Sequence, residues 1–220
     1  MCGRYVRSRS SRVFAERFQA TGNLDLKPSY NVAPSDAALI ARTMPEGGRG
    51  LAAVRWGLIP FWAKDPKIGY KMINARADTV ATKPAFREAY RRRRCLIAAD
   101  GFYEWKAQEG GKQPYLIRLK DAEPFAFAGL WEHWEGDGRV IESCTIITTE
   151  ANSLVAEVHD RMPVILPRDA YDRWLDGPPD GLRDLLRPCP AEEMETYPVS
   201  KAVNSPRNDG AELLARRVDG

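Results

Sequence analysis

The sequence predicts an α+β fold: a curved, mostly antiparallel sheet, barrel-like, flanked by short helices. Three observations predict it. Apolar, strand-like runs crowd the middle of the chain, with turn residues between them. Helical patterns are short and lie on either side of that block. No repeat period, linker or low-complexity stretch divides the 220 residues, so 1–220 is expected to be one domain.

Each element has a local reason. Residues 11–19 read as an amphipathic helix with a serine cap. Asn31-Val32-Ala33-Pro34 reads as a loop. Residues 38–42 and 51–58 read as a strand pair around Gly47-Gly48, and Pro60 stops the second strand. Residues 82–93 read as a helix with Thr82 as cap and Pro84 in the first turn. Four strands are expected at 96–99, 102–106, 114–119 and 125–131, with Asp100-Gly101 and Gly110-Gly111 supplying turns. A fifth, at 140–148, follows Gly136-Asp137-Gly138. Short helices are expected at 152–159, 168–176 and 181–187, then an extended segment at 199–204.

Composition bounds the function. Hydrophobic residues are 44% and charged residues 29%, ordinary for a soluble globular chain. No apolar run approaches the ~20 residues of a membrane span, and the N-terminus lacks a secretory pattern. Cys2, Cys95, Cys144 and Cys189 have no short paired spacing, and Cys95 and Cys144 lie in strand-like runs. A reduced, cytoplasmic protein is the simplest inference. Two distant histidines and no Cys-x-x-Cys argue against a structural zinc site, and no cofactor is expected. The net charge of +3 is too small to prove a nucleic-acid partner. The run Arg91–Arg94 and the N-terminal Arg4, Arg7, Arg9 and Arg12 fit a polyanion, although a lone basic run is more often a solvated helix face. The six tryptophans suggest a groove for several of them.

Five segments could carry chemistry. Cys2 is the first: removal of Met1 would leave an α-amine and a thiol on one residue. With an aldehyde, that pair closes a thiazolidine, which an internal cysteine cannot do. The reference pKa of an α-amine, ~7.7–8.0, leaves part of it neutral in the cell. Asn74-Ala75-Arg76-Ala77-Asp78 is the second, with an amide and a phosphate-matching guanidinium on one side of an extended segment. In the third, Gly101-Phe102-Tyr103-Glu104-Trp105, a carboxylate lies among aromatics and is a candidate for a raised pKa. The fourth, His159-Asp160-Arg161-Met162-Pro163, offers a proton shuttle beside an arginine. The fifth, Trp56-Gly57-Leu58-Ile59-Pro60-Phe61-Trp62, is a ridge able to stack on unpaired bases or to pack as core. Each alone has a bland structural reading.

Taken in order, these segments resemble the SOS-response-associated peptidase (SRAP) family of abasic-site processing proteins. The likeness starts at Met1-Cys2-Gly3-Arg4-Tyr5, continues through Asn31-Val32-Ala33-Pro34 and the segments above, and ends near Val203-Asn204. Asp78, where the family leads one to expect Glu, and Phe61 depart from the pattern. The resemblance implies a protein that senses abasic sites in single-stranded DNA and shields them covalently through Cys2. Asn74 would orient the Cys2 amine or the sugar oxygen, Glu104 would move protons, and His159 would assist ring opening or reversal. Arg4, Arg76 and Arg161 would clamp phosphates; Trp62 and Trp105 would contact bases or shape the pocket. It also implies nucleoid association when bound to DNA. Two alternatives remain at this stage. One is a thiol peptidase, acting on Met1 or on other chains with Cys2, Glu104 and His159. The other is a non-covalent single-strand DNA-binding module.

Overall fold

The structure, a computed structural model, describes residues 2–217. The chain opens with β1 (Tyr5–Arg7), α1 (Ser11–Phe18), β2 (Ala20–Thr21) and β3 (Ser29–Val32). A hairpin follows, β4 (Ala37–Thr43) and β5 (Arg49–Trp56), then β6 (Asn74–Arg76) and α2 (Arg87–Arg92). The central block is β7 (Arg94–Ala99), β8 (Gly101–Gln108), β9 (Gly111–Leu119), β10 (Phe125–Gly136) and β11 (Arg139–Glu150). The chain ends through α3 (Ser153–Ala156), β12 (Arg161–Pro163), β13 (Ile165–Leu166), α4 (Tyr171–Asp176) and β14 (Met194–Pro198).

Five strands close into a barrel in the order β11-β10-β7-β4-β5, and β5 returns to β11. Four of the pairings are antiparallel. The closing one is parallel, with Arg55 opposite Ser143 and Trp56 opposite Cys144. A second, antiparallel sheet runs β14-β9-β8-β1-β3. The expected curved, mostly antiparallel sheet with short flanking helices is therefore what forms.

Strand alternation explains the layers. On β7, Cys95, Ile97 and Ala99 face one cluster, with Tyr5, Trp56, Phe102 and Phe127 between barrel and second sheet. Leu96 and Ala98 face the other cluster, under Phe14, Phe18, Tyr90 and Trp174 of the helices. A strand covered on both faces reads as an unbroken apolar run, as β7 does. Tyr5 sits edge-on to Trp56 at 5.2 Å and to Phe127 at 5.8 Å, fixing the N-terminal strand against the barrel.

Several boundaries differ from the sequence reading. Asn31 and Val32 lie in β3, with Val32 opposite Tyr5, because the buried Asn31 amide donates to the carbonyls of Val203, Ser205 and Asn208. The helix expected over 82–93 begins only at Arg87, since Thr82 donates its hydroxyl back to Thr79 instead of capping. Ser10 at the cap of α1 makes no side-chain cap bond. The helix expected over 152–159 shortens to α3, and the one expected over 181–187 is replaced by the end of the 3-10 turn Pro179–Gly181 and the 3-10 turn Arg183–Leu185, hemmed in by prolines at 178, 179 and 188. The segment 199–204 is not extended; Lys201–Asn204 is a 3-10 turn capped by Ser200. The extended segment expected at Asn74–Arg76 is β6, whereas the late β14 escaped the sequence reading because it carries no long apolar alternation.

The tryptophans divide unevenly. Trp56, Trp134 and Trp174 are core residues, each donating its indole N–H to a backbone carbonyl. Trp62 is 49% exposed.

Candidate active site

β11 is the rail on which the site is built. β5 pairs with it up to Cys144; the chain then leaves, and returns as β6 with Asn74 opposite Ile146 and Arg76 opposite Thr148. The exit needs Gly57, whose φ is +126° and whose added Cβ would lie 2.6 Å from the Gly69 carbonyl oxygen. The excursion over 57–73 displays the Phe61-Trp62 ridge. Three anchors hold it: Ile59 N–H donates to Ser143 Oγ (2.8 Å), Phe61 N–H to Glu132 (3.3 Å), and Trp134 Nε1–H to the Ala63 carbonyl (2.7 Å). Phe61 and Trp62, 51% and 49% exposed, are thus presented on a fixed backbone.

β6 reaches the N-terminal residues directly. Asn74 Nδ2–H donates to the Cys2 carbonyl at 2.8 Å. Its Oδ1 is buried and has no hydrogen-bond partner among the described residues, so an acceptor stands open beside Cys2. Cys2 is fully buried, and its Sγ lies 3.8 Å from the Arg4 carbonyl. Burial, reinforced by the nearby Glu104 carboxylate, pushes the thiol well above its ordinary value.

Glu104 stands on β8, two residues beyond the Tyr5–Phe102 pair of β1 and β8. The expected division of this strand holds. Phe102 joins the cluster containing Cys2, while Tyr103 and Trp105 pack into a separate cluster on the other face. Glu104 is 2% exposed, and burial pushes its carboxyl up to about 7. A carboxyl titrating there can both take and return a proton near neutrality.

His159 follows α3. Asn152 caps that helix by accepting from Val155 N–H, and its Nδ2–H donates to the Cys189 carbonyl. His159 Nδ1 accepts from the Arg161 N–H at 3.0 Å and lies 2.8 Å from Asp160. Burial lowers its pKa, with the Asp160 carboxylate opposing in part. The electrostatics place Cys2, Glu104, Asp160 and His159 in one neighbourhood: Glu104 acts on Cys2, and Asp160 on both Glu104 and His159.

The arginines separate by use. Arg161 donates to the Thr148 carbonyl (2.6 Å) and hydroxyl (3.2 Å). Arg76 is held bidentately by Asp78 at 3.2 and 2.8 Å, which gives the shorter acid at 78 a defined local contact. Arg76 and Arg161 line a cleft of about 400 Å³ with Ala77, Asp78, Thr149 and Glu150. Arg4 is committed inward, donating to Asn31 Oδ1 and to the carbonyls of Val203 and Asn204. Trp105 meets it there, its Nε1–H bonded to Asn204 Oδ1. No hydrogen bond or ring contact among the described residues links Trp62 to Cys2. Sequence reasoning missed Thr148 and Asn152; the run Thr148-Thr149-Glu150-Ala151-Asn152 carries the polar signal that could have found them. Among the described residues, no three His, Cys, Asp or Glu side chains group as metal ligands. None of the described helices is long and apolar enough to cross a membrane.

A small closed barrel capped by an antiparallel sheet, with the second residue of the chain buried against an open amide and a near-neutral carboxyl, defines the class. The chain belongs to the family described as SOS response associated peptidase (SRAP), which its residues 1–206 match. It is 49% identical to the abasic site processing protein YoaM of Bacillus subtilis, covering 97% of both chains. It is 32% identical to the abasic site processing protein YedK of Escherichia coli, over 97% of this chain and 99% of that one. A crystal structure of a protein from Bacteroides thetaiotaomicron superposes with a TM-score of 0.89 at 28% identity, covering 99% of this chain and all of the other.

Proposed function

We propose that this protein processes abasic sites in single-stranded DNA by covalent capture through Cys2 once Met1 has been removed. An abasic sugar equilibrates with an open-chain aldehyde. The Cys2 amine adds to that carbonyl and, with loss of water, forms an imine. The thiol then adds to the imine carbon; its proton passes to the nitrogen, and a thiazolidine closes. Glu104, with its pKa near 7, supplies a proton to the departing hydroxyl and accepts one from the amine. Asn74 Oδ1 takes a hydrogen bond from the amine or from a sugar hydroxyl. His159 assists ring opening of the sugar or reversal of the adduct. Arg76 and Arg161 hold backbone phosphates, and Trp62 stacks on an unpaired base. Arg4, which gives three of its five donors to Asn31, Val203 and Asn204, and Trp105 shape the wall near Asn204, where the remaining Arg4 donors can still meet a phosphate.

The observation that carries this reading is the hydrogen bond from Asn74 Nδ2–H to the Cys2 carbonyl, which fixes that residue beside the open Asn74 Oδ1. A second reading, a thiol peptidase acting on Met1 or other chains, needs a thiolate. Burial that holds the Cys2 thiol protonated disfavours it and favours an amine-first reaction.

Intact-mass analysis after incubation with single-stranded DNA carrying one abasic site tests the proposal. Wild type forms a stable adduct, Cys2→Ala forms none, and Cys2→Ser gives at most a labile imine. An equally stable adduct in Cys2→Ala would move the reaction to another residue.

A further inference from the structure

One wall of the cleft beside the site comes from a segment outside every motif named so far. Arg183 lines that cleft with Arg76, Asp78, Thr149, Glu150 and Arg161. Its position is fixed. The 3-10 turn Arg183–Leu185 is planted by buried Leu182, Leu185 and Leu186, and the Leu186 carbonyl accepts from the Thr149 hydroxyl at 3.2 Å. That bond ties the turn to the end of β11, next to the strand that carries Arg161.

The charges of the cleft do not cancel in pairs. Asp78 occupies Arg76 with both oxygens. Asp184, the neighbour of Arg183 in sequence, is taken by Arg173 at 2.6 and 2.7 Å. Arg161 keeps a buried Nε–H with no acceptor among the described residues, and burial together with the charge of Arg76 depresses its pKa. Glu150 is the remaining carboxylate on the wall. Arg161 and the exposed Arg183 therefore share one cleft, a combination that suits one phosphodiester.

We infer that Arg183, with Arg161, seats one backbone phosphate of the DNA strand running from the Cys2 site. The inference rests on the DNA-processing reading above and names a contact that reading does not include. The occupant is a phosphodiester because two residues of the cleft lie close along the chain to the site: Arg76 is two residues beyond Asn74 on β6, and Arg161 two beyond His159. Asp78 competes with a phosphate for Arg76 and so weakens that contact.

The test is binding of undamaged single-stranded oligonucleotide as a function of salt, beside adduct formation at saturating abasic DNA. Arg183→Ala is expected to weaken binding about fivefold at low salt and to lower the log–log salt slope by about 0.7, the loss of one phosphate contact. Arg183→Lys keeps the slope, since the charge remains. Asp78→Asn steepens it by freeing Arg76. Tm stays at the wild-type value in Arg183→Ala, whose side chain is exposed and plays no part in the core. An unchanged slope in Arg183→Ala overturns the inference. If wild type forms no adduct but Arg183→Ala still lowers the slope, the covalent reading fails and the phosphate seat stands. If wild type forms the adduct and the slopes coincide, the seat alone fails.

Discussion

Two sets of arginines in this protein look opposite in sequence and in space. Arg91–Arg94 is the densest cationic run in the chain, yet two of its four members are committed to the fold. Arg94 is buried and donates to the carbonyls of Tyr90, Arg91, Trp174, Leu175 and Gly177, closing the C-terminal ends of two helices. Arg93 pairs with buried Glu132, the same carboxylate that takes the Phe61 N–H beneath the aromatic ridge. Arg91 and Arg92 lie exposed over Glu88, one turn away on α2. By contrast Arg76, Arg161 and Arg183 are scattered over more than a hundred residues and still converge on one cleft. Cation density along a chain reports helix composition. Cation density in space, with donors left over, reports an anion site.

The largest test of this comparison is Arg94→Ala. Leaving five carbonyls short of a donor should cost about 3 kcal/mol and lower Tm on the order of 10 °C. Covalent capture below the melting transition should be unaffected. A normal Tm by calorimetry would remove the structural role assigned to Arg94.

Arg161→Ala comes next and should behave in the reverse way. Affinity for abasic single-stranded DNA should fall about tenfold, with a salt slope shallower by about 0.7, while Tm moves by only a few degrees. Anisotropy titrations at several salt concentrations decide it; an unchanged slope would count against a phosphate contact.

A smaller effect contrasts the two buried carboxylates. Glu132 has an arginine partner, whereas burial raises Glu104 to about 7. In the unfolded chain Glu104 ionises near its model-peptide value, ~4.3, so the folded state binds the extra proton between that pH and about 7. Its contribution is therefore fully present below ~4.3 and is lost as pH rises through 7. Glu104→Gln should gain thermal stability over wild type as pH rises through this window, then hold a constant advantage, and its adduct formation should be slow throughout. A Tm difference flat from pH 4 to 8 would contradict the raised pKa.

The smallest expected effect is the double substitution Arg91→Ala, Arg92→Ala. Exposed pairs of this kind contribute ~0–1 kcal/mol, so stability should change little. DNA affinity should stay within about twofold of wild type. A loss as large as that of Arg161→Ala would restore the basic run as a nucleic-acid surface.

How much of this was legible in the sequence varies by element. The strands from β7 to β11 were readable because β-branched and aromatic runs alternate with glycine turns at Gly110-Gly111 and Gly136-Asp137-Gly138, whereas Gly101, expected in a turn, lies in β8 opposite Val6. β6 was legible as an extended segment but its partner was not, since it pairs in parallel with β11 across more than seventy positions. The helix expected over 82–93 was overextended because Thr82 bonds backwards to Thr79. In the site, Cys2, Asn74, Glu104 and His159 were each weak signals alone, and only their order along the chain made them a set.

The sequence by itself determined the alternation that builds the barrel, the glycine that lets the chain leave β11 at position 57, and the identity of the groups able to react. Those are local properties, written in residue type and spacing. Tertiary structure decided which of those groups meet. It buried Glu104 and so moved its proton affinity, set the Asn74 amide against the Cys2 carbonyl, and turned Arg94 inward while gathering Arg76, Arg161 and Arg183. Charge, burial and reach act through space, and the parallel closure of β5 and β6 onto β11 brings these distant parts of the chain within range of one another.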